Sequence, residues 1–355
     1  MSAEPVLETS GTPEGTEALQ NGLPATHRQV VLRQRPHGLL TWDDVELVEA
    51  PLPEVPDGHA LVRVELLAMD ATVRSWLNQG EGYLPAVEIG EVVRCSGIGR
   101  VVATNSPKFA VGDIAYTLPG MQEYCTVTDD LFTTPLPPDT DLAAALSVFG
   151  ATGLTAYLGV VEYGAAKAGE TVVVSAAAGA TGSLAGQIAK LLGCRVVGIA
   201  GTDEKCRFVV EELGFDACIN HRTDDLDAAL KEHCPKRVDV YFDNVGGPVL
   251  DAVLGRIANG ARVVLCGAIS VYNEEHKPPG PANYLNLISR RGRMEGFIAM
   301  DHWGRFDEVM GILRGWVDDG KLRHVEHYYD GLVSSVDALN ALFVGANTGK
   351  VVVRL

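Results

Sequence analysis

The sequence of 355 residues predicts an α/β protein in which a mostly β domain precedes a doubly wound parallel-sheet domain. Three observations support this prediction. The length suits two closely joined domains. Short β-branched runs separated by Pro and Gly fill the first part of the chain. From residue 170 onwards, apolar strands alternate with amphipathic helices, which is the pattern of a parallel sheet between two helical layers.

Changes in composition and in apolar pattern along the sequence also predict the domain boundaries. Residues 1–27 contain four glutamates, no lysine or arginine and no apolar periodicity, so we expect a flexible N-terminal tail. We expect residues 28–145 to form the β domain and residues 146–312 to form the doubly wound domain. Residues 313–355 are too few for a separate domain, and we expect them to pack back on the β domain.

Periodicity identifies the elements of the doubly wound domain. A continuous β-branched run predicts a buried strand over 171–174, and apolar residues at helical spacing predict a helix over 183–192. The same pattern predicts further strands over 195–200, 238–242 and 261–265, and helices over 142–146, 203–213 and 313–316.

Composition and charge exclude several classes of function. The net charge of −17 disfavours a nucleic-acid partner, because phosphate binding needs a basic surface. Apolar runs stay shorter than the roughly 18 residues that cross a bilayer, so no membrane association is expected. The seven cysteines are odd in number and lack the spacing of zinc or redox motifs. With no secretory signal apparent, we expect reduced thiols in a cytoplasmic protein.

A glycine turn after the strand over 171–174 indicates a dinucleotide site. It has the pattern Ala177-x-Gly179-x-x-Gly182, with alanine in place of the first glycine of the usual fingerprint. Gly179 allows close approach of the pyrophosphate, and Gly182 allows the helix to pack on the strand. The backbone amides at the start of this helix are expected to bind the phosphates. They belong to the turn formed by Ala178, Gly179, Ala180, Thr181 and Gly182.

The end of the next strand indicates whether the cofactor is NAD or NADP. NAD sites carry an acidic residue near its end to bind the adenosine ribose, but here the strand ends in Ala200-Gly201-Thr202. Gly201 leaves room for a ribose phosphate, and Lys205 can donate a charge-assisted bond to it, worth about 1.5–3 kcal/mol. We therefore predict NADPH/NADP+ as the cofactor. The alternative is that Lys205 is a solvated lysine on a helix surface.

Four further sequence motifs lie outside the glycine turn. They are DVYFDNVGG at 239–247, GAISVYN at 267–273, RMEGF at 293–297 and GANTGK at 345–350. Together with the Ala177–Gly182 turn, these strings resemble the zinc-independent medium-chain dehydrogenase/reductase family. The resemblance runs from Arg28 to the C-terminus and is strongest to its prostaglandin reductase, alkenal double-bond reductase and curcumin reductase branch.

The resemblance implies a fold and a reaction. The fold is a GroES-like β domain joined to a Rossmann dinucleotide-binding domain, with a cleft between them. Members of this branch reduce the carbon–carbon double bond of α,β-unsaturated ketones and aldehydes with NADPH, and many are homodimers. The implied substrate is therefore a small-molecule activated alkene.

The resemblance also implies roles for individual residues. Tyr272, in the Ser-x-Tyr-Asn string, is the best candidate to stabilise the enolate or relay a proton to it. The alternative is that Tyr272 only forms a wall of the cleft. His221 and Arg222 replace a Tyr-Lys pair that lies beside the cofactor phosphate in relatives. Further residues expected to contact the cofactor are Thr155, Asn244, Gly267, Phe297 and Asn347.

The substrate side departs from the family pattern. Thr72 replaces the tyrosine of an Asp-Pro-Tyr-Met-Arg string, which removes a donor and opens the pocket. Tyr83 matches another cleft tyrosine of the family and is a candidate replacement. His302 and Trp303 follow a predicted strand near the cleft mouth, where they are expected either to shape the substrate pocket or to lie on the surface.

No metal site is expected. Zinc-dependent relatives carry a Gly-His-Glu string in the β domain, whereas here Ala60 follows Gly58-His59, and the region around Gly90 has no histidine. The cysteines do not supply the three or four convergent ligands that zinc needs. Two alternatives to enone reduction remain open, namely quinone reduction and non-catalytic NADPH binding.

Overall fold

A computed structural model of the protein describes residues 22–80, 82–130, 132–274 and 278–355. Most of the predicted N-terminal tail lies outside these residues. The first strand begins at Thr26, two residues before the predicted start of the β domain at residue 28.

The described elements follow one another in three groups. The first group is β1 (Thr26–Leu32), β2 (Val45–Pro51), β3 (Ala60–Met69), α1 (Ala71–Trp76), β4 (Ser96–Thr104), β5 (Ile114–Thr117), β6 (Tyr124–Val127) and β7 (Thr134–Leu136). The second group is α2 (Leu142–Leu146), α3 (Ala151–Tyr157), β8 (Thr171–Ser175), α4 (Ala180–Leu191), β9 (Arg195–Ala200), α5 (Asp203–Arg207), β10 (Ala217–Asn220), α6 (Leu226–His233), β11 (Val238–Asp243), α7 (Gly247–Leu254), β12 (Ile257–Leu265), α8 (Asn286–Arg290), β13 (Arg293–Gly296) and α9 (Phe306–Asp318). The third is β14 (Glu326–Asp330), α10 (Ser335–Val344) and β15 (Lys350–Arg354).

Short helical turns complete this order. Residues Leu158–Tyr163 and Phe208–Glu212 are π-helical and extend α3 and α5, while Ile269–Val271, Ala282–Leu285, Ala299–Arg305 and Leu332–Ser334 are 3₁₀-helical. The helix predicted over 203–213 is therefore α-helical only to Arg207 and widens into a π turn afterwards.

The β domain is a largely antiparallel sheet. Among the described residues its strand order is β14-β15-β3-β4-β5-β7, with β6 also paired to β3 and with β1 and β2 forming a separate antiparallel pair. The C-terminal strand β15 pairs antiparallel with β3, placing Val351 opposite Met69. Consequently the C-terminal strand is part of the sheet formed by the N-terminal β domain.

The second domain is built on a parallel sheet. Within the described residues its strand order is β10-β9-β8-β11-β12-β13, so the chain starts in the middle and turns back between β8 and β11. Ligands of such sheets bind at the carboxyl ends of the strands, at this reversal. The prediction of a β domain followed by a doubly wound domain is confirmed by this architecture.

Helices cover both faces of the parallel sheet. On one face, Val172 and Phe242 pack against Leu184 and Ile188 of α4. On the other face, Val173 and Tyr241 belong to a core that includes Val253 of α7. All of these side chains are buried, and this burial is the main stabilising term for the domain.

Helix α9 differs from the prediction of a helix over 313–316. It begins at Phe306, and Val309, Met310 and Leu313 all pack into the core of the doubly wound domain. The predicted boundary at residue 312 therefore falls inside a single helix whose apolar face belongs to that domain. Among the described residues, no helix combines the length and the apolar character needed to span a membrane.

Candidate active site

A cavity of about 580 Å³ opens between the two domains. Its walls come from the carboxyl ends of the parallel strands, from α1 and the segment after it, and from the end of α10. Of the predicted site residues, those that line this cavity are Thr72, Tyr83, Thr155, Ala178, Gly179, Ala180, Thr181, Gly182, Gly201, Lys205, His221, Arg222, Asn244, Gly267, Tyr272, Phe297 and Asn347. His302 is the predicted site residue that the cavity does not include.

The glycine turn lies at the centre of the cavity wall, between β8 and α4. Gly179 is the N-cap of α4, which leaves the first amides of a twelve-residue helix without intrahelical partners. A Cβ on Gly182 would lie 2.3 Å from the carbonyl oxygen of Ala176, so the helix packs on the turn at a distance that only glycine allows. The amide of Gly349 donates to the carbonyl of Ala178 and joins the C-terminal segment to the turn.

Three cationic or titratable side chains converge at one end of the cavity. A Cβ on Gly201 would lie 3.4 Å from both Nε2 of His221 and Nε of Arg222. Lys205 Nζ donates to the carbonyl of Gly345 (2.9 Å), and Arg222 Nη2 donates to the carbonyl of Val344 (3.0 Å).

The ion pairs formed within the described residues include none of the three members of this cluster. Lys205 is half-buried, whereas His221 and Arg222 are exposed. Burial, and then the charge of Arg222, lowers the pKa of Lys205 and also the pKa of His221. The site therefore carries positive charge that lacks a counter-ion, and a ribose phosphate would supply one.

A buried carboxylate organises the loop after β11. Asp243 is fully buried, and its side chain accepts hydrogen bonds from Ser175 Oγ (3.0 Å), from Tyr241 Oη (2.7 Å) and from the amides of Val245 and Gly246. Asn244, one residue on, donates its side-chain amide to the carbonyl of Ser175 (2.7 Å). The end of β11 is thus locked against the end of β8, where the cofactor turn begins.

Tyr272 stands at the other end of the cavity with its phenol oxygen fixed by backbone. The amide of Ala268 donates to Tyr272 Oη at 3.0 Å, and a Cβ on Gly267 would lie 3.4 Å from the same oxygen. Burial raises the pKa of Tyr272 above its usual value, so the phenol is protonated at neutral pH. Because the oxygen already accepts one bond, the proton is free to be donated to another group.

Thr72 and Tyr83 form a second polar pair on the facing wall. Thr72 Oγ1 lies 2.5 Å from Tyr83 Oη and 3.4 Å from Ser75 Oγ. Thr72 occupies the first turn of α1, and Tyr83 belongs to the segment that follows this helix. The position at which relatives carry a tyrosine is therefore hydrogen-bonded to a tyrosine eleven residues later.

Comparison with known proteins gives a consistent result. Residues 28–134 match the family described as "N-terminal domain of oxidoreductase", and residues 180–314 match that described as "Zinc-binding dehydrogenase". The chain is 39% identical over 335 residues to "NADPH-dependent curcumin reductase" of Escherichia coli (strain K12), covering 93% of this chain and 97% of the relative. It is 38% identical over 337 residues to "2-alkenal reductase (NADP(+)-dependent)" of Nicotiana tabacum, covering 93% and 98%.

A solved structure extends this likeness to three dimensions. The structure described as CurA in complex with NADPH, from Vibrio vulnificus, superposes with a TM-score of 0.88 at 39% identity, covering 92% of this chain and 98% of that chain. The chain belongs to the zinc-independent medium-chain dehydrogenase/reductase family. The resemblance inferred from the sequence strings is therefore confirmed.

The region in which zinc-dependent members of the wider medium-chain family carry metal ligands has a different composition here. His59 lies in the turn before β3, and its Nδ1 is 3.1 Å from the carbonyl oxygen of Asp57. Within the ranges that the structure describes, no group of three or more His, Cys, Asp or Glu side chains is arranged to hold a metal ion. All seven cysteines belong to these ranges and have free thiols.

His302 and Trp303 separate in the structure. His302 Nε2 lies 2.7 Å from Tyr163 Oη, behind Phe297, which stacks on Tyr163 with ring centroids 4.5 Å apart. Trp303 instead lines the cavity and stacks on Phe306. The histidine thus supports the cavity wall from outside, and the neighbouring indole forms part of it.

The sequence patterns gave no signal for several other cavity residues. Trp76, Tyr116, Phe132 and Leu342 line the cavity but belong to no motif that could mark them. The buried Lys350 forms an ion pair with Asp70 (2.5 Å), a cavity residue at the end of β3. Asp70 and Lys350 are 280 positions apart, so this contact is visible only in the folded chain.

Proposed function

We propose that this protein reduces the carbon–carbon double bond of α,β-unsaturated ketones and aldehydes with NADPH. One observation carries the proposal: the same cavity is lined by a cation cluster that has no ion-pair partner among the described residues and by a protonated phenol whose hydrogen is free. The names of the Escherichia coli and Nicotiana tabacum relatives, a curcumin reductase and a 2-alkenal reductase, support the same chemistry.

The cofactor-binding roles are assigned as follows. The amides at the start of α4 would hold the pyrophosphate, and Lys205, His221 and Arg222 would hold the ribose phosphate. Asn244 and Gly267, beside Tyr272, would border the nicotinamide half. When bound there, NADPH supplies a hydride.

The chain's own residues would stabilise the charge that develops on the substrate. Addition of a hydride to the β carbon leaves negative charge on the carbonyl oxygen as an enolate. Tyr272 can donate its phenol proton to that oxygen, and a donor that is fixed before the reaction needs no reorganisation during it. Apolar cavity residues such as Met69, Leu84 and Trp303 exclude water and thereby strengthen this interaction.

A substrate panel tests the proposal. NADPH oxidation is measured by absorbance with alkenals, cyclic enones, aryl enones and quinones at matched concentrations. We expect turnover with the enones and alkenals to exceed turnover with the quinones. Turnover of quinones alone would establish the alternative of a quinone reductase, and NADPH binding without turnover would establish a non-catalytic binding protein.

We also propose that the protein is a homodimer. Strand β13 forms one edge of the parallel sheet, and all four of its residues are exposed. Met294 on this strand exposes 37% of its surface, and the nearby Leu285 and Ile288 expose 57% and 74%. An exposed edge with apolar neighbours favours pairing with a second copy, and a two-fold axis would join the two sheets.

The association state tests this second proposal. Sedimentation analysis is expected to give a dimer for the wild-type chain and a monomer for Ile288→Asp, because the new charge would be buried in the interface. Val333→Asp is a matched control, since Val333 is half exposed on another surface. A monomeric wild type would contradict the proposal.

The seven free thiols further support a reducing location, and we place the protein in the cytoplasm.

A further inference from the structure

A hydrogen bond joins the hydroxyls of Thr72 and Tyr83, so the direction of one proton depends on that of the other. Ser75 Oγ donates its hydrogen to the carbonyl oxygen of Thr72 at 2.7 Å. Ser75 Oγ can therefore only accept a hydrogen bond from Thr72 Oγ1. The distance from Thr72 Oγ1 to Ser75 Oγ, 3.4 Å, is too long for a strong hydroxyl bond, whereas Tyr83 Oη lies at 2.5 Å. The strong hydrogen bond of Thr72 is therefore the one to Tyr83, in which either hydroxyl can be the donor. A bound carbonyl oxygen, which only accepts, would take the phenol proton and leave Thr72 as the donor to Tyr83 Oη.

When Thr72 donates to Tyr83, the phenol oxygen becomes an acceptor and its proton is left for another partner. This is the arrangement that the amide of Ala268 imposes on Tyr272 across the same cavity. Burial raises the pKa of Tyr83, partly offset by the bond from Thr72, so this phenol also remains protonated. A hydroxyl that accepts one hydrogen bond is polarised and becomes a stronger donor in the next.

Tyr83 needs such a restraint because packing alone does not hold it. Its surface is 46% exposed, and the ring contact recorded for it is an edge-to-face one with Trp76, with centroids 6.1 Å apart. The indole N–H of Trp76 is buried beside the Tyr83 phenol and, like Thr72, lowers its pKa. The hydrogen bond with Thr72, at 2.5 Å, is the short polar contact that holds the Tyr83 phenol.

We propose that Thr72 is a positioning residue that holds Tyr83 as a second hydrogen-bond donor to the substrate carbonyl oxygen, facing Tyr272. This inference rests on the proposed enone reduction. The hydroxyl that replaces the family tyrosine at position 72 does not leave the cavity without a donor on that wall. It transfers the role to Tyr83, in a conformation that the hydrogen bond with Thr72 stabilises.

A double-mutant cycle tests the coupling, with an enone as substrate and with NADPH affinity measured for every variant. Tyr83→Phe is expected to lower kcat/KM for the enone by roughly 10–100-fold, the effect of losing one preorganised donor. Thr72→Val keeps the shape but removes the hydroxyl, and we expect a loss of about tenfold. In the double variant the loss should equal that of Tyr83→Phe alone, because Thr72 acts through Tyr83.

Two further variants separate positioning from a structural effect. Thr72→Ser keeps the hydroxyl and should restore kcat/KM to within about threefold of wild type, which corresponds to less than 1 kcal/mol. Thr126→Val is the matched control, since Thr126 is exposed on β6 and outside the cavity. NADPH affinity should be unchanged in all of these variants.

The outcomes are distinct. Full activity of Thr72→Val, failure of Thr72→Ser to restore activity, or multiplication of the two single losses in the double variant would overturn the inference. Each of these results is obtained with an active wild-type enzyme and leaves the proposed reaction standing. A wild-type protein that turns over no enone would instead overturn the proposed function itself.

Discussion

At the cofactor end of the cavity, the groups that would contact the ligand come from consecutive βα units, whereas at the substrate end they come from distant segments. The first set is mostly backbone: the amides that open α4, and the close approach of Gly182 to Ala176. The second set consists of side-chain hydroxyls on α1 and around Tyr272, held by single hydrogen bonds.

This difference in construction predicts a difference in tolerance. Backbone donors persist through most substitutions, so the cofactor end should fail only where a glycine or a cation is replaced. A side-chain donor is lost when a substitution removes its donor atom, so substitutions at the substrate end should change the activity without changing the fold. Substitutions at the two ends of the cavity should therefore differ in whether they change cofactor binding or catalysis.

The largest effect is expected for Gly182→Ala. The new Cβ would lie 2.3 Å from the carbonyl oxygen of Ala176, and such overpacking costs about 1–3 kcal/mol of folding free energy. We also expect NADPH affinity to fall by roughly 100-fold, or about 2.7 kcal/mol, because the turn must open. Gly311→Ala is the control: a Cβ there meets no atom within 4 Å in α9 and should stabilise by about 0.4–1 kcal/mol. Unchanged NADPH affinity in Gly182→Ala would contradict the account of the turn.

Tyr272→Phe should affect catalysis and leave cofactor binding intact. It removes the phenol proton but keeps the ring, so kcat for an enone should fall roughly 10–100-fold while NADPH affinity stays the same. Tyr284→Phe, on an exposed tyrosine outside the cavity, should behave as wild type. Full activity of Tyr272→Phe would reduce this residue to a wall of the cavity.

Lys205→Ala should affect binding and leave catalysis intact. The loss of one charge-assisted bond, about 1.5–3 kcal/mol, should weaken NADPH binding roughly 10–100-fold. NADH lacks the 2′-phosphate on the adenosine ribose, so its affinity should not change. Lys231→Ala removes the same charge from α6, away from the cavity, and should have no effect. Equal losses for both dinucleotides in Lys205→Ala would show that the lysine does not bind the phosphate.

The smallest effect concerns pH. Burial and Arg222 lower the pKa of His221 in the free protein, so the imidazole is mostly neutral at pH 7. A phosphate beside it would favour the charged form and raise this pKa, so binding takes up a proton and NADPH affinity should increase as the pH falls. His221→Gln should lose that part of the pH dependence, by less than about tenfold between pH 8 and pH 6. Identical pH profiles for the two proteins would contradict it.

Residues of the cofactor end could be predicted because the relevant signals are local. The spacing of Gly179 and Gly182 lies within one strand–turn–helix unit, and the missing acid after Ala200 lies at the end of the next strand. The structure places all of these positions in one cavity. The alternation of apolar strands and helices predicted the doubly wound sheet for the same reason.

The substrate end could be predicted only in part. The sequence marked Thr72 as a departure and Tyr83 as a candidate replacement, but their hydrogen bond depends on the conformation of the segment after α1. The pair of Asp70 and Lys350 depends on the antiparallel pairing of β3 with β15, a contact between opposite ends of the chain. His302 and Trp303 are adjacent in sequence, and only the fold of the Ala299–Arg305 turn decides which of them lines the cavity.

The position of deuterium in the product shows which bond of the substrate is reduced. The protein is incubated with an enone and NADPH that carries deuterium at its transferable C4 position, and the product is analysed by NMR. The account predicts a saturated ketone with deuterium on the former β carbon. An allylic alcohol with deuterium on the former carbonyl carbon would contradict it, because the carbonyl group and not the double bond would then have been reduced.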